Sequence, residues 1–176
     1  MSYICVDCEF DGPVPGKYSM VCFGAIVVEP SLNKTFYGRT SPISQEFIPE
    51  ALVISGFSRK EHLSFEHPTY TIKKFVEWIK ENSVGRPIFI SDNPGSDFAF
   101  INYYMHIFNN GENPFGHSAR RIGDLYCGMV NDASKNFEWK KKFRKTNHDH
   151  HPVNDAKGNA EGILAMHKMG LKIDLR

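Results

Sequence analysis

The chain has 176 residues, 41% of them hydrophobic and 23% charged, with a net charge of +1. That is enough for one domain with a substantial core, and it argues against a disulfide scaffold, a fibre or a disordered tail. No stretch approaches the ~18 consecutive apolar residues of a membrane span. The start, Met1 to Asp7, lacks a basic leader region. A cytoplasmic location with reduced cysteines and no membrane partner is the expectation.

Residues 2–9 read as a strand that ends at the turn signal Asp11-Gly12-Pro13. Residues 19–29 read as a second strand, and Lys34 to Arg39 as a third that pairs back. Together they predict a three-stranded antiparallel meander. Ile72, Phe75, Val76 and Ile79 predict a helix over 69–82. Pro87 to Ser91 reads as a short strand, and 95–108, 123–131 and 154–169 as helices. No repeat or linker divides the chain. The order predicts a single α/β domain over 1–176, with a mixed sheet flanked by helices.

Alternation places Cys5, Asp7 and Glu9 on one face of the first strand, opposite Ile4, Val6, Cys8 and Phe10. Carboxylates at i and i+2 stand ~6–7 Å apart at the backbone and can converge on hard cations such as Mg²⁺ or Mn²⁺. A solvent-facing pair on an edge strand is the competing reading. Cys5 and Cys8 form a C-x-x-C only on paper, since i and i+3 diverge on a strand; packing cysteines are expected.

The strand at 87–91 runs into Asp92, Asn93 and Asp97. An acid at a strand-to-helix junction can reach the end of a sheet, where α/β sites lie, or simply complement a helix dipole. Further on, His148, His150 and His151 crowd before Pro152, and Asp155 falls in the first turn of the last helix. Imidazole suits proton transfer near neutral pH. A zinc site of His148, His150 and His151 is the lesser reading, because no cysteine or acid at a typical spacing completes it. Residues 135–145 carry a local charge of +5 against −4 elsewhere, with Phe137, Trp139 and Phe143 interleaved. This stretch reads as a solvated loop with its aromatics in the core, or as a strip that stacks on nucleic-acid bases.

Taken in order, Asp7-x-Glu9, Asn93-x-x-x-Asp97-Phe98 and His150-x-x-x-x-Asp155-Ala156 resemble the DEDDh family of 3′–5′ exonucleases, most of all its compact bacterial and phage exoribonucleases. The resemblance spans residues 3 to about 170. It implies a ribonuclease H-like fold and two divalent cations, Mg²⁺ or Mn²⁺, held by Asp7, Glu9, Asp97 and Asp155. His150 would be the general base, being the histidine with four residues between it and Asp155. The implied reaction releases nucleoside 5′-monophosphates from single-stranded nucleic acid, RNA before DNA. Ser55 and Gly56 resemble the family's glycine-containing loop near the terminal nucleotide. Most members continue the first motif with Thr-Gly-Leu; here Phe10-Asp11-Gly12-Pro13-Val14 stands, which makes Phe10, Gly12 and Val14 the candidates for base contact, with Asn93 beside them. Relatives often form homodimers, and Phe108, Phe115, Tyr126 and Trp139 could serve either an interface or the core. A ribonuclease H-like endonuclease, a dinucleotide phosphodiesterase and a silent binding module are the rival readings.

Overall fold

The structure, a computed structural model, describes residues 1–175. Five strands form one sheet in the order β3-β2-β1-β4-β5. They are β1 (Ser2–Phe10), β2 (Met20–Val27), β3 (Thr35–Arg39), β4 (Pro87–Ser91) and β5 (Ala119–Arg121). β1 is central, antiparallel to β2 and parallel to β4. The expected meander and mixed sheet are present.

A central strand must bury both faces, and β1 does so by alternation. Ile4, Val6 and Cys8 enter a core with α3 (Pro68–Asn82) and α4 (Asp97–Phe108). Tyr3 and Cys5 enter a second core with α5 (Ile122–Val130) and α7 (Pro152–Lys168). Cys5 and Cys8 therefore lie on opposite sides of the sheet, and all four cysteines are free thiols.

Three helices were not expected. Two are the short α1 (Pro49–Ile54) and α2 (Arg59–Leu63), six and five residues long. The third, α6 (Glu138–Phe143), comes from the basic stretch. Trp139 is fully buried, against Gly162 of α7, so it cannot stack on a base. Phe115 and Tyr126 are also buried, and Phe108 is packed against the core, so these aromatics serve the interior. The cations of 135–145 are largely paired within the chain. Lys135 and Lys142 meet Glu138, Lys140 meets Asp92, and Arg144 meets Asp155. No helix among the described residues is long and apolar enough to cross a membrane.

A buried polar cluster fastens α2 to the end of β1. Asp11 is fully buried and accepts from Arg59 Nη1 at 2.8 Å and from the Ser19 amide at 2.5 Å. Arg59 also donates to the Ser44 carbonyl at 2.8 Å. His62 sits 3.7 Å from Asp11, but burial, then the Arg59 charge, hold its pKa down to about 4, so it is neutral at pH 7. Arg59 alone compensates the Asp11 carboxylate. Arg59→Ala should therefore cost about 3–5 kcal/mol, since it strands a buried charge. A urea midpoint unchanged from wild type would show that the pair contributes nothing.

Candidate active site

The site forms where α7 crosses the end of β1. In the β1–β2 register Asp7 lies opposite Gly24. A Cβ on Gly24 would stand 2.4 Å from the Pro152 carbonyl carbon and the Val153 nitrogen. The missing side chain lets the first turn of α7 rest directly on the sheet, as glycine in a strand often permits. Asp155, in that turn, is thereby set beside Asp7 and Glu9. Each of the three offers a carboxylate oxygen within 4.8 Å of the other two.

Asp97 opens α4, its amide bonded to the Asn93 carbonyl at 3.0 Å. It is 5% exposed and lies near Asp7, outside the group of three. Asp92, the other acid of that turn, is committed to Lys140 at 2.5 Å.

Crowding shows in the acidities. Desolvation, then the charges of Asp97, Asp155 and Glu9, push Asp7 well above the usual carboxylate range, against the pull of Arg144. Burial and then Asp155 raise Glu9 to about 7, against His148. Burial raises Asp97 to about 7, with polar groups of Ser91, Cys8 and Asn93 opposing. Arg144 forms an ion pair with one of these acids. Its guanidinium holds Oδ1 of Asp155, which is 1% exposed. Oδ2 is buried, makes no hydrogen bond, and lies 2.8 Å from Nδ1 of His148. A set of hard oxygen ligands short of positive charge, one of them buried against an imidazole nitrogen, fits divalent cations.

The histidine loop is turned by His150, whose φ of 59° is uncommon for a residue with a side chain. Asp149 fixes the turn, accepting from the His151 amide at 3.0 Å and from Asn154 Nδ2 at 2.8 Å. His150 Nδ1 reaches within 3.6 Å of Glu9 Oε1. His151 leaves the group and stacks on Tyr37, with ring centroids 5.1 Å apart.

A cleft of about 230 Å³ opens beside His150, lined also by Tyr37, Ile54, Ser55 and Gly56. Ser55 and Gly56 thus share a cleft with His150. The expected contacts after Glu9 differ. Phe10 stacks on Phe100 with centroids 4.2 Å apart, and Gly12 is buried under the Tyr18 ring. Both face inward because Asp11, between them, is drawn into its buried pair. Val14 is half exposed and Asn93 exposed, and neither lines the cleft.

Sequence reasoning missed Gly24, Arg144 and the contact of His148 with Asp155. A glycine within an apolar strand was a readable sign of close approach. Arg144 gave no sign of its own among five other cations.

No family model matches the chain. Solved structures share the fold. The nuclease domain of 3′hExo, a DEDDh family member bound to rAMP, superposes with a TM-score of 0.77 at 14% identity, covering 99% of this chain and 94% of that one. A 3′-exonuclease structure showing 3′-end-specific recognition of a histone mRNA stem-loop gives 0.79 at 14% identity, over 99% and 84%. The fold is thus ribonuclease H-like. In sequence, the 3′–5′ DNA exonuclease Cap18 of Escherichia coli is 38% identical over 181 residues, 97% of this chain and 94% of the relative. The chain belongs to the DEDDh family of 3′–5′ exonucleases.

Proposed function

We propose that the chain removes nucleotides one at a time from the 3′ end of single-stranded nucleic acid and releases 5′-monophosphates. The observation that carries this reading is the trio Asp7, Glu9 and Asp155 beside a histidine loop, with a buried Asp155 oxygen 2.8 Å from His148 Nδ1. Asp7, Glu9, Asp97 and Asp155 would hold two divalent cations, Mg²⁺ or Mn²⁺. Such ions polarise the scissile phosphate and stabilise the leaving oxygen.

The chain's own groups do the rest. Arg144 fixes one oxygen of Asp155, so the other faces the cluster. Asp97, whose charge acts on Asp7, adds to the negative field that makes the site select cations. His150, half exposed at the mouth of the cleft, accepts the proton of the attacking water. Ser55 and Gly56 border the space for the terminal nucleotide, and Gly56 (φ 78°) carries no side chain to narrow it.

DNA is the favoured substrate. The 38% identical relative is named for DNA, whereas the neighbours named with RNA are only 14% identical. This departs from the RNA expected of the sequence motifs. Matched 5′-labelled DNA and RNA single strands, with Mg²⁺, Mn²⁺ or EDTA, test it. The expected result is a ladder shrinking from the 3′ end, faster on DNA and absent in EDTA. Internal fragments, or activity on dinucleotides alone, would overturn it. His150→Ala should lower turnover by about 10²–10⁴-fold, the usual span for a lost general base. Near-normal turnover in that variant would move the base elsewhere.

A further inference from the structure

We propose that His148, His150 and Asp155 form a site for one late first-row transition ion, Zn²⁺ foremost, whose occupancy switches the enzyme off. The ligand set differs in kind from the four-carboxylate cluster. Each of the three residues offers one ligand atom, and all three atoms lie within 4.8 Å of one another. The shortest separation, His148 Nδ1 to Asp155 Oδ2, is 2.8 Å, and the two imidazole centroids are 4.3 Å apart.

Three features make this a site rather than a coincidence of neighbours. The Asp155 oxygen aimed into it is buried and without a hydrogen bond, so its desolvation is already met by the fold. Arg144 holds the opposite oxygen of the same carboxylate, which orients the free one as an outer-shell partner does. The two histidines are half exposed, with side-chain exposures of 56% and 49%, so their rings can shift to set each nitrogen about 2.0–2.1 Å from an ion. His151 does not contribute, because its ring is stacked on Tyr37.

The chemistry selects the ion. Two imidazoles and one carboxylate favour Zn²⁺, Co²⁺ or Ni²⁺ over Mg²⁺, which prefers oxygen. Three protein ligands leave a fourth position to water, the pattern of an accessible zinc site rather than a structural one. The missing acid that made a zinc site incomplete in the sequence is Asp155. It stands seven residues after His148 and one helical turn into α7. An ion here would occupy the lone pair of His150 and an oxygen of Asp155, both of which the proposed hydrolysis needs. The site itself goes beyond that reading, since ion binding is measurable without turnover.

Co²⁺ titration into the metal-free full chain, followed by visible absorption, reports the site directly. The expected result is a d–d band that saturates at one equivalent, is displaced by one equivalent of Zn²⁺, and survives millimolar Mg²⁺. His148→Ala should abolish the band, and His151→Ala should keep it. In assays with saturating Mg²⁺, Zn²⁺ should inhibit wild type at micromolar concentration. The inhibitory concentration, relative to each protein's own Mg²⁺-supported rate, should rise about tenfold or more in His148→Ala, since losing a ligand weakens binding at least as much as losing an outer-shell partner. No band, a band indifferent to His148, or equal loss in both variants overturns the site. A band without inhibition overturns the switch. The expected band in a protein that cuts no nucleic acid would leave the site standing and defeat the exonuclease reading instead.

Discussion

Asp7→Asn should lower turnover by on the order of 10³-fold and, at the same time, make the metal-free chain more stable at pH 8. The first effect follows from ion positioning. Divalent ions supply several kcal/mol of transition-state stabilisation, and each 1.36 kcal/mol is tenfold in rate. The second follows from repulsion. Asp7 is pushed well above the usual carboxylate range by desolvation and by Asp97, Asp155 and Glu9, so its charge opposes folding when no cation is present. Glu9 and Asp97 share the direction, both reaching about 7. In the unfolded chain these groups titrate near about 4. Between those values the native state holds protons that the unfolded state has lost, so metal-free stability falls as pH rises from about 4 to 7. Added Mg²⁺ or Mn²⁺ should reverse the trend by binding only the folded, ionised site. Thermal melts from pH 4.5 to 8.5, with and without metal, read all of this. In Asp7→Asn the melting temperature should fall less with pH and rise less with metal. A variant as active as wild type, or one that melts lower than wild type at pH 8 without metal, would remove Asp7 from the site.

Much of this arrangement was legible because it obeys short-range rules. The two-residue period of β1 put Asp7 and Glu9 on one face, and the pairing of β2 beside it made that strand central. The apolar helix pattern after Asp97 placed that acid at a junction. What stayed hidden depends on distances that no local pattern encodes. The segment 138–143 looked like a charged loop because six cations fall within 135–145; the fit of Trp139 against Gly162 seats it as a helix. The charges of 135–145 then lie among distant acids, Lys140 on Asp92 and Arg144 on Asp155. β5, three residues of Ala-Arg-Arg, has no apolar alternation to read and exists by pairing with β4. Phe10 and Gly12 were expected at the substrate from a motif position. The buried Asp11–Arg59 pair, 48 residues apart in sequence, turns that segment inward.

Gly24→Ala tests the other half of the construction, the seat of α7 on the sheet. Its new methyl would meet backbone atoms of Pro152 and Val153 at 2.4 Å, and backbone cannot rotate aside as a side chain can. Either α7 lifts or β2 bows. Overpacking of this sort costs about 1–3 kcal/mol, which a domain of this size can survive. The catalytic loss should be larger in proportion. A displacement of about 1 Å carries Asp155 away from Asp7 and Glu9, and misplacement on that scale can cost about 10²-fold in rate. Gly128→Ala is the matched control. It lies within α5 with no atom near its would-be Cβ, so it should gain about 0.5–1 kcal/mol from helix propensity and leave turnover alone. Turnover at 0 °C to 25 °C, well below melting, separates the two effects. If Gly24→Ala is merely less stable and equally fast, the close contact of α7 with β2 serves packing alone. If it is still folded and about a hundredfold slower, the absent side chain of Gly24 is what aligns the last acid with the first two.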